Sequence, residues 1–461
     1  MIATSTTIRA EDLPADVKGA LTEAGIPFAN VSVVVQRVDS ETPLIRHNPL
    51  RPMNPASTMK LVTTFGALEL LGPTYTWKTE ALVDTPPSNG TVNGNIYLRG
   101  SGDPRMALEQ FWLLLRQLHA RGVSRINGDL VLDRTAFAPM AHDPAAFDNE
   151  PLRPYNAGPD ALLINLKTIT LSLRADAARK TVQIVADTPE IDLHIDNRIT
   201  LTQDACGDWR EKVRPSVSGN TITVSGSYST RCAEKSLNLT PWPADTQVEH
   251  LFRALWRELN VATDGSETAV LRGKVHDGVT PATASLLVTQ ESPALGEVIR
   301  EINKYSNNVM ARQVFLTLDS NRPATTQGAA RRIRSWLDGK GLSMPELVLD
   351  NGSGLSRSER ISADSMARLL LAAWDSPVMP ELMASLPIAG LDGTLKKRLT
   401  DGASSGRAHL KTGFLDNVRA VAGFVQDGSD HRWVVVFMIN DAKARAGKPA
   451  IDALLNWVAN H

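Results

Sequence analysis

The sequence predicts an α+β protein in which both ends of the chain build one domain and a β-rich middle is inserted between them. Three observations lead there. An early valine-rich run, Phe28 to Val38, needs sheet neighbours, and the last quarter supplies three strand candidates, Ala408 to Lys411, Val418 to Val425 and Arg432 to Ile439. The final segment places Ile451, Leu454, Leu455 and Val458 at i, i+3, i+4, i+7 behind Pro449, the pattern of an amphipathic helix that packs on a sheet. Between the ends, Leu162 to about Tyr228 reads as short strands joined by turns rich in Asp, Ser and Gly, with no cluster of chemically active residues.

Taken in order, the chain opens on a short helix with Pro14 near its start and Gly25 after its last turn. The Phe28 to Val38 strand returns through Asp39 to Pro43 to a partner at Leu44 and Ile45. From Ser57 the period changes, and Leu61, Val62, Phe65, Leu68 and Leu71 form a helical stripe ending at Gly72-Pro73. Strands are expected at Thr79 to Val83, Gly94 to Leu98 and Ile126 to Leu132, with a helix at Leu108 to Leu118. The β-rich middle carries strands at Thr168 to Leu173, Thr181 to Val185, Ile191 to Ile195 and Thr221 to Val224. Helices return at Val248 to Leu259, after a Ser292 N-cap with Pro293 at N1, and at Val309 to Leu318, Ala329 to Leu337 and Ala363 to Trp374.

A chain of 461 residues suggests two to four units. Its 49 Lys and Arg against 50 Asp and Glu leave no basic excess or stripe, which argues against a nucleic-acid partner. No apolar run approaches the roughly 20 residues that cross a bilayer, so no transmembrane segment is expected. Met1 to Ala10 lacks a basic start and apolar core, so a secretory leader is expected to be absent from this chain. The nine histidines are scattered without ligand spacing, and neither a metal nor another cofactor is expected. Cys206 and Cys232 have no CxxC spacing; they fit two free thiols in a reducing compartment or one disulfide in an oxidising one.

Three short motifs carry the chemistry. Ser57-Thr58-Met59-Lys60 puts a serine and a lysine on one face of a helix start. A helix N-terminus favours negative charge near the serine, and a desolvated lysine can accept its proton. The spacing alone arises about twice by chance in such a chain, and it equally describes an N-cap beside a solvated lysine. Ser306-Asn307-Asn308 aims a hydroxyl and an amide from one turn, although it also reads as a plain helix end. Lys411-Thr412-Gly413 combines a cation, a hydroxyl and a glycine on a strand, suited to an extended substrate ending in a carboxylate. This triplet is expected only about 0.1 times by chance, and the order SxxK, SxN, KTG is that of the penicillin-recognising serine enzymes.

With these motifs the chain resembles the class C low-molecular-mass penicillin-binding proteins, the D-alanyl-D-alanine carboxypeptidase and endopeptidase family (peptidase family S13). The resemblance extends to Gly100-Ser101-Gly102-Asp103-Pro104, to Asp350-Asn351-Gly352-Ser353-Gly354-Leu355-Ser356-Arg357, where Asn351 departs from a simpler Asp-Gly start, and to Gly390-Leu391-Asp392-Gly393-Thr394-Leu395. It implies a penicillin-binding/β-lactamase-like domain from 1–76 and 274–461, an inserted domain from 77–164 and 237–273, and a nested β-rich domain at 165–236. It implies a periplasmic enzyme, peptidoglycan stem peptides as substrate, β-lactams as covalent inhibitors, and room for a homodimer; if that compartment is oxidising, a Cys206–Cys232 disulfide is the simplest expectation.

Carried onto this sequence, the resemblance makes Ser57 the nucleophile, Lys60 its base, Ser306 a proton relay, Lys411 the cation that shapes the field, and Asn308 a substrate contact. Thr412 and Gly413 would serve the terminal carboxylate, with an oxyanion hole at the N–H groups of Ser57 and Phe414. Relatives often carry Ser or Thr where Phe414 stands, so a weaker dependence on a free carboxylate is expected. Asp148 or Glu150 would meet the free amine of diaminopimelate. A serine β-lactamase or D-amino-acid esterase, and a decayed cell-wall-binding protein, are the competing readings.

Overall fold

A computed structural model describes residues 12–259 and 270–461; the Met1 to Ala10 segment lies outside them. The chain divides into two compact units, Met1–Thr76 with Pro293–His461, and Trp77–Ser292.

The first unit is organised on a five-stranded antiparallel sheet in the order Ala408–Leu415, Val418–Gln426, Arg432–Asn440, Val31–Arg37, Ile45–His47. The two middle strands Arg432–Asn440 and Val31–Arg37 are buried almost throughout, which is why they read as continuous apolar runs rather than as alternation. One face is closed by helices Ala15–Glu23 and Lys448–Ala459, whose Val17, Leu21, Ile451, Leu454 and Val458 form a core with Val33, Val35, Val421 and Phe437. Helix Ala363–Trp374 packs against the strands Val31–Arg37 and Arg432–Asn440, while Lys60–Leu71 packs with Leu295–Tyr305, Asn308–Thr317 and Thr326–Gly339. The Lys60–Leu71 helix is buried on every side from Lys60 to Leu68, so its apolar stripe widens into a whole surface.

The second unit has a mixed five-stranded sheet, Val275–Asp277, Leu130–Asp133, Ile96–Gly100, Lys78–Val83, Ser285–Glu291, covered by helices Leu108–Ala120 and Ala244–Leu259. This unit runs on through Ser292 because Ser285–Glu291 pairs with Lys78–Val83. Within it, two three-stranded sheets share a separate core around Ile169, Leu171, Ile222, Val224, Tyr228 and Trp242. Cys206 and Cys232 are bonded there, which selects the oxidised alternative. Among the described residues no helix is long and apolar enough to cross a membrane.

Several boundaries differ from expectation. Phe28–Asn30 is a 3₁₀ turn before a strand that begins at Val31. The run Ile126 to Leu132 is two short strands, Arg125–Ile126 and Leu130–Asp133, separated at Asn127-Gly128-Asp129; Gly128 backs onto the Gly94 carbonyl so closely that a Cβ would lie 2.3 Å from its oxygen. The strand placed at Ile191 to Ile195 begins only at His194 and runs to Thr202. Ser292 is not an N-cap: the helix starts at Leu295 behind Ala294, and the Ser292 hydroxyl accepts a bond from the Trp77 N–H at 2.9 Å.

Candidate active site

Ser57 lies in a single 3₁₀ turn, Ala56–Met59, that feeds the Lys60–Leu71 helix, and it caps nothing. Ala56, directly before it, has φ of 45°, a left-handed conformation costly for a residue with a Cβ. Two glycines allow other segments to close on this turn. A Cβ on Gly413 would fall 2.6 Å from the Pro55 oxygen, and one on Gly354 would fall 2.0 Å from the Ala56 oxygen and 2.7 Å from the Ser57 Cα. The KTG strand and the Asp350 to Arg357 loop therefore flank the serine at backbone contact.

Lys60 and Lys411 are both fully buried. Lys60 Nζ reaches Ser57 Oγ at 3.1 Å and Asn308 Oδ1 at 2.6 Å, and it also donates to the Ser353 carbonyl. Burial, and then the neighbouring Lys411 charge, lower the Lys60 pKa well below that of a free lysine, with Glu359 pulling the other way. Lys411 Nζ donates to Ser306 Oγ at 2.9 Å and to the Thr412 carbonyl at 2.8 Å, and burial brings its pKa down to about 7.

Ser306 closes the Leu295–Tyr305 helix at φ 58°, and Asn308 opens the next one behind Asn307, whose side chain caps Met310 N at 3.1 Å. This tight helix-to-helix turn is what aims the Ser306 hydroxyl and the Asn308 amide at two different lysines. Ser57, Lys60, Ser306, Asn308, Lys411, Thr412 and Gly413 come together in the first unit. Phe414 stands beside them, 53 % exposed, with the Arg419 guanidinium stacked 3.5 Å over its ring. The Ala408–Leu415 strand is the edge of its sheet, so its outer main-chain groups face no strand of that sheet.

Asp148 and Glu150 lie in the second unit. Asp148 accepts bonds from Tyr155 Oη at 2.8 Å and Asn156 Nδ2 at 2.7 Å, and Glu150 meets Arg153 at 3.3 Å. Asp103 is also there, as a turn acid accepting from Arg105 N at 2.7 Å, its pKa pushed up to about 6 by burial.

Glu359 carries no signal in the sequence, whereas Thr394 lies in the Gly390 to Leu395 stretch already singled out there. Glu359, fully buried, accepts the backbone N–H groups of Asp350, Asn351 and Gly352 at 3.2, 3.1 and 2.8 Å, wrapping the loop so that the Ser353 carbonyl meets Lys60. Thr394 Oγ1 lies 2.8 Å from Thr412 Oγ1, placing a second hydroxyl beside the KTG threonine. Its loop is held by buried Lys304, which bonds Asp392 at 2.6 Å.

This fold, with its three motifs gathered on one sheet edge and two helix starts, defines the penicillin-binding, β-lactamase-like class of serine peptidases. More closely, the chain belongs to the D-Ala-D-Ala carboxypeptidase 3 (S13) family, whose model matches residues 13–461. It is 28% identical over 446 residues to a D-alanyl-D-alanine carboxypeptidase of Actinomadura sp. (strain R39), covering 92% of this chain and 80% of that one. In fold it is similar to the crystal structure of penicillin binding protein 4 (dacB) from Haemophilus influenzae, with a TM-score of 0.80, 24% identity, and coverage of 97% of this chain and 100% of the other. The same protein complexed with a β-lactam gives a TM-score of 0.76 at 23% identity and the same coverage. The chain is accordingly a serine-type D-Ala-D-Ala carboxypeptidase.

Proposed function

We propose that this enzyme works through an acyl-enzyme on Ser57 and cleaves both D-Ala-D-Ala ends and cross-links of peptidoglycan stem peptides. The observation that carries the reading is the buried Lys60 Nζ held 3.1 Å from Ser57 Oγ. A neutral amine there has two N–H groups to give, to Asn308 Oδ1 and the Ser353 carbonyl, which leaves its lone pair facing the Ser57 hydroxyl. Lys60 takes the Ser57 proton as Oγ attacks the carbonyl carbon of the scissile D-Ala-D-Ala amide. The resulting oxyanion is received by the N–H groups of Ser57 and Phe414. The proton held by Lys60 is relayed through Ser306, whose hydroxyl is bonded to Lys411, to the departing amine, so Lys60 is neutral and Ser306 protonated again as free D-alanine or the amine of a cross-linked strand leaves. Water then attacks the ester, returning the proton to Ser57 and releasing the shortened peptide.

A β-lactam acylates the same oxygen with ring opening in place of a leaving group; the β-lactam complex of the Haemophilus influenzae protein supports carrying this over. Brief exposure to benzylpenicillin followed by peptide mass spectrometry should give a stable one-drug adduct on the peptide containing Ser57. Unmodified protein with intact drug would overturn the acyl-enzyme reading, and unmodified protein with hydrolysed drug would move it to a β-lactamase.

The two lysine shifts set a pH window. Acylation rises with pH as Lys60 loses its proton, then falls as the Lys411 cation discharges through about 7. The second-order rate of acylation measured from pH 5 to 10 should therefore be bell-shaped; a rate still climbing at pH 10 would remove Lys411 as the required cation.

Thr412 and Thr394 offer the terminal carboxylate two hydroxyls, although Phe414 brings none. Phe414→Thr is expected to raise the preference for a free over an amidated D-Ala-D-Ala end about fivefold, one added hydrogen bond's worth. An unchanged ratio of the two kcat/KM values would show that the site lacks use for that hydroxyl. Asp148 and Glu150 remain our candidates for a diaminopimelate amine. A periplasmic location fits the disulfide and the substrate, and self-association as a homodimer is part of the same family reading.

A further inference from the structure

The second unit contains a cavity of about 1010 Å³ on the β-rich segment 165–236, which we treat as a nested domain, with the Asn149–Arg153 loop on one side. Two of its walls are strands at the ends of their sheets. Val213–Ser218 is the last strand of one three-stranded sheet and Lys235–Leu239 the first of the other, and both line the cavity over most of their length. Such strands leave main-chain groups for an incoming chain, one amide fewer at Pro215, with side-chain pockets set by the strand repeat. The floor is apolar at Val213, Leu237 and Trp242, whose indole N–H is already used on the Gly219 carbonyl at 2.9 Å.

The charged lining is three arginines, Arg153, Arg210 and Arg214, against Glu150 and Glu211. Arg153 meets Glu150 only at 3.3 Å. Arg210 is the telling one, because its Nε is buried without a hydrogen-bond partner. Burial first, and the Arg153 charge next, lower its pKa, with Asp208 pulling the other way, so two guanidinium groups repel one another while Glu150 offsets part of the Arg153 charge. A carboxylate placed between the two guanidinium groups would relieve the repulsion. The volume is that of a site for a ligand of several residues.

We propose that this cleft is a second, non-catalytic binding site for an extended carboxylate-bearing peptide, namely an uncleaved stem of the polymer whose ends the catalytic unit processes. The identification of the peptide rests on the function proposed above; the cleft itself does not. A repeating polymer held at two sites of one chain is retained longer than a soluble fragment that reaches one.

The test uses full-length protein and the soluble stem tripeptide L-Ala-γ-D-Glu-meso-diaminopimelate, which has no D-Ala-D-Ala end to cleave. Calorimetric titration should show binding by the wild type, about tenfold weaker binding by Arg210→Gln and an intermediate loss in Arg210→Lys, since a lysine keeps the charge and loses the planar fork. Lys411→Met, altered in the catalytic unit, should bind as the wild type does. Arg153→Gln repeats the measurement should Arg210→Gln fail to fold. No binding by the wild type, unchanged binding in the arginine variants, or loss only in Lys411→Met would each overturn the proposal. Equal binding of an all-L acidic tripeptide would overturn the stem assignment in favour of acidic protein segments. Benzylpenicillin labelling of Ser57, run on the same samples, reports separately on the acyl-enzyme reading and should be unchanged by Arg210→Gln.

Discussion

Replacing Lys60 by methionine is expected to lower the rate of acylation by benzylpenicillin about 10³-fold while leaving a folded protein. The magnitude is that of losing a positioned general base. Methionine keeps the length and apolar stem of the side chain at a fully buried position, so its packing against Asn308 and the Ser353 segment is largely preserved. A buried amine also carries a desolvation cost that methionine does not, which offsets part of the loss of its hydrogen bonds. The experiment pairs stopped-flow acylation with a thermal melt. A cooperative melt and a rate within tenfold of the wild type would assign the proton to another base.

The second large effect is expected at a residue without a side chain. In Gly354→Ala the new methyl group must occupy space 2.0 Å from the Ala56 oxygen and 2.7 Å from the Ser57 Cα, at a φ of +80° that alanine resists. The atoms in the way are backbone, so no rotamer change relieves the overlap. Either the Asp350 to Arg357 loop or the Ser57 turn must move. The expected loss is about 3 kcal/mol of stability, together with about a 100-fold slower acylation, the usual consequence of displacing a reacting atom by about 1 Å. Differential scanning calorimetry and acylation kinetics check the two parts. A variant with the wild-type melt and rate would mean that the loop does not hold the serine in place.

Much of this architecture could be read from residue order. The valine runs at Val31–Arg37, Val418–Gln426 and Arg432–Asn440 announce a sheet because burial on both faces leaves little room for polar positions. The helix at Ala363–Trp374 has the same ends in sequence and structure because Ser362 caps it and its stripe is unbroken. Ser292 misled for a physical reason. A serine before a proline looks like a helix start, yet its hydroxyl is spent on Trp77, far away in the chain. The site divides in the same way. Ser57, Lys60, Ser306, Asn308, Lys411 and Thr412 are marked by short spacings, whereas the groups that hold them in place are joined by distance alone. Nothing near Glu359 announces that its carboxylate will gather three backbone amides seven to nine positions earlier, and Thr394 meets Thr412 from a loop that Lys304, 88 positions before Asp392, helps to anchor.

The interrupted build of the first unit has a consequence for how the enzyme comes into being. Val31–Arg37 finds its sheet partner in Arg432–Asn440, with the whole of Trp77–Ser292 synthesised in between. A growing chain therefore carries Ser57 early but lacks Lys411, the edge strand and the Lys448–Ala459 helix until the segments beyond residue 408 are made. Under the mechanism proposed above, products that stop short of Lys411 are expected to be hydrolytically silent. During that interval an apolar strand stands with its neighbour missing, the condition under which nascent chains aggregate. Biogenesis of this enzyme should accordingly depend on a factor that shelters the N-terminal segment until the C-terminal strands arrive.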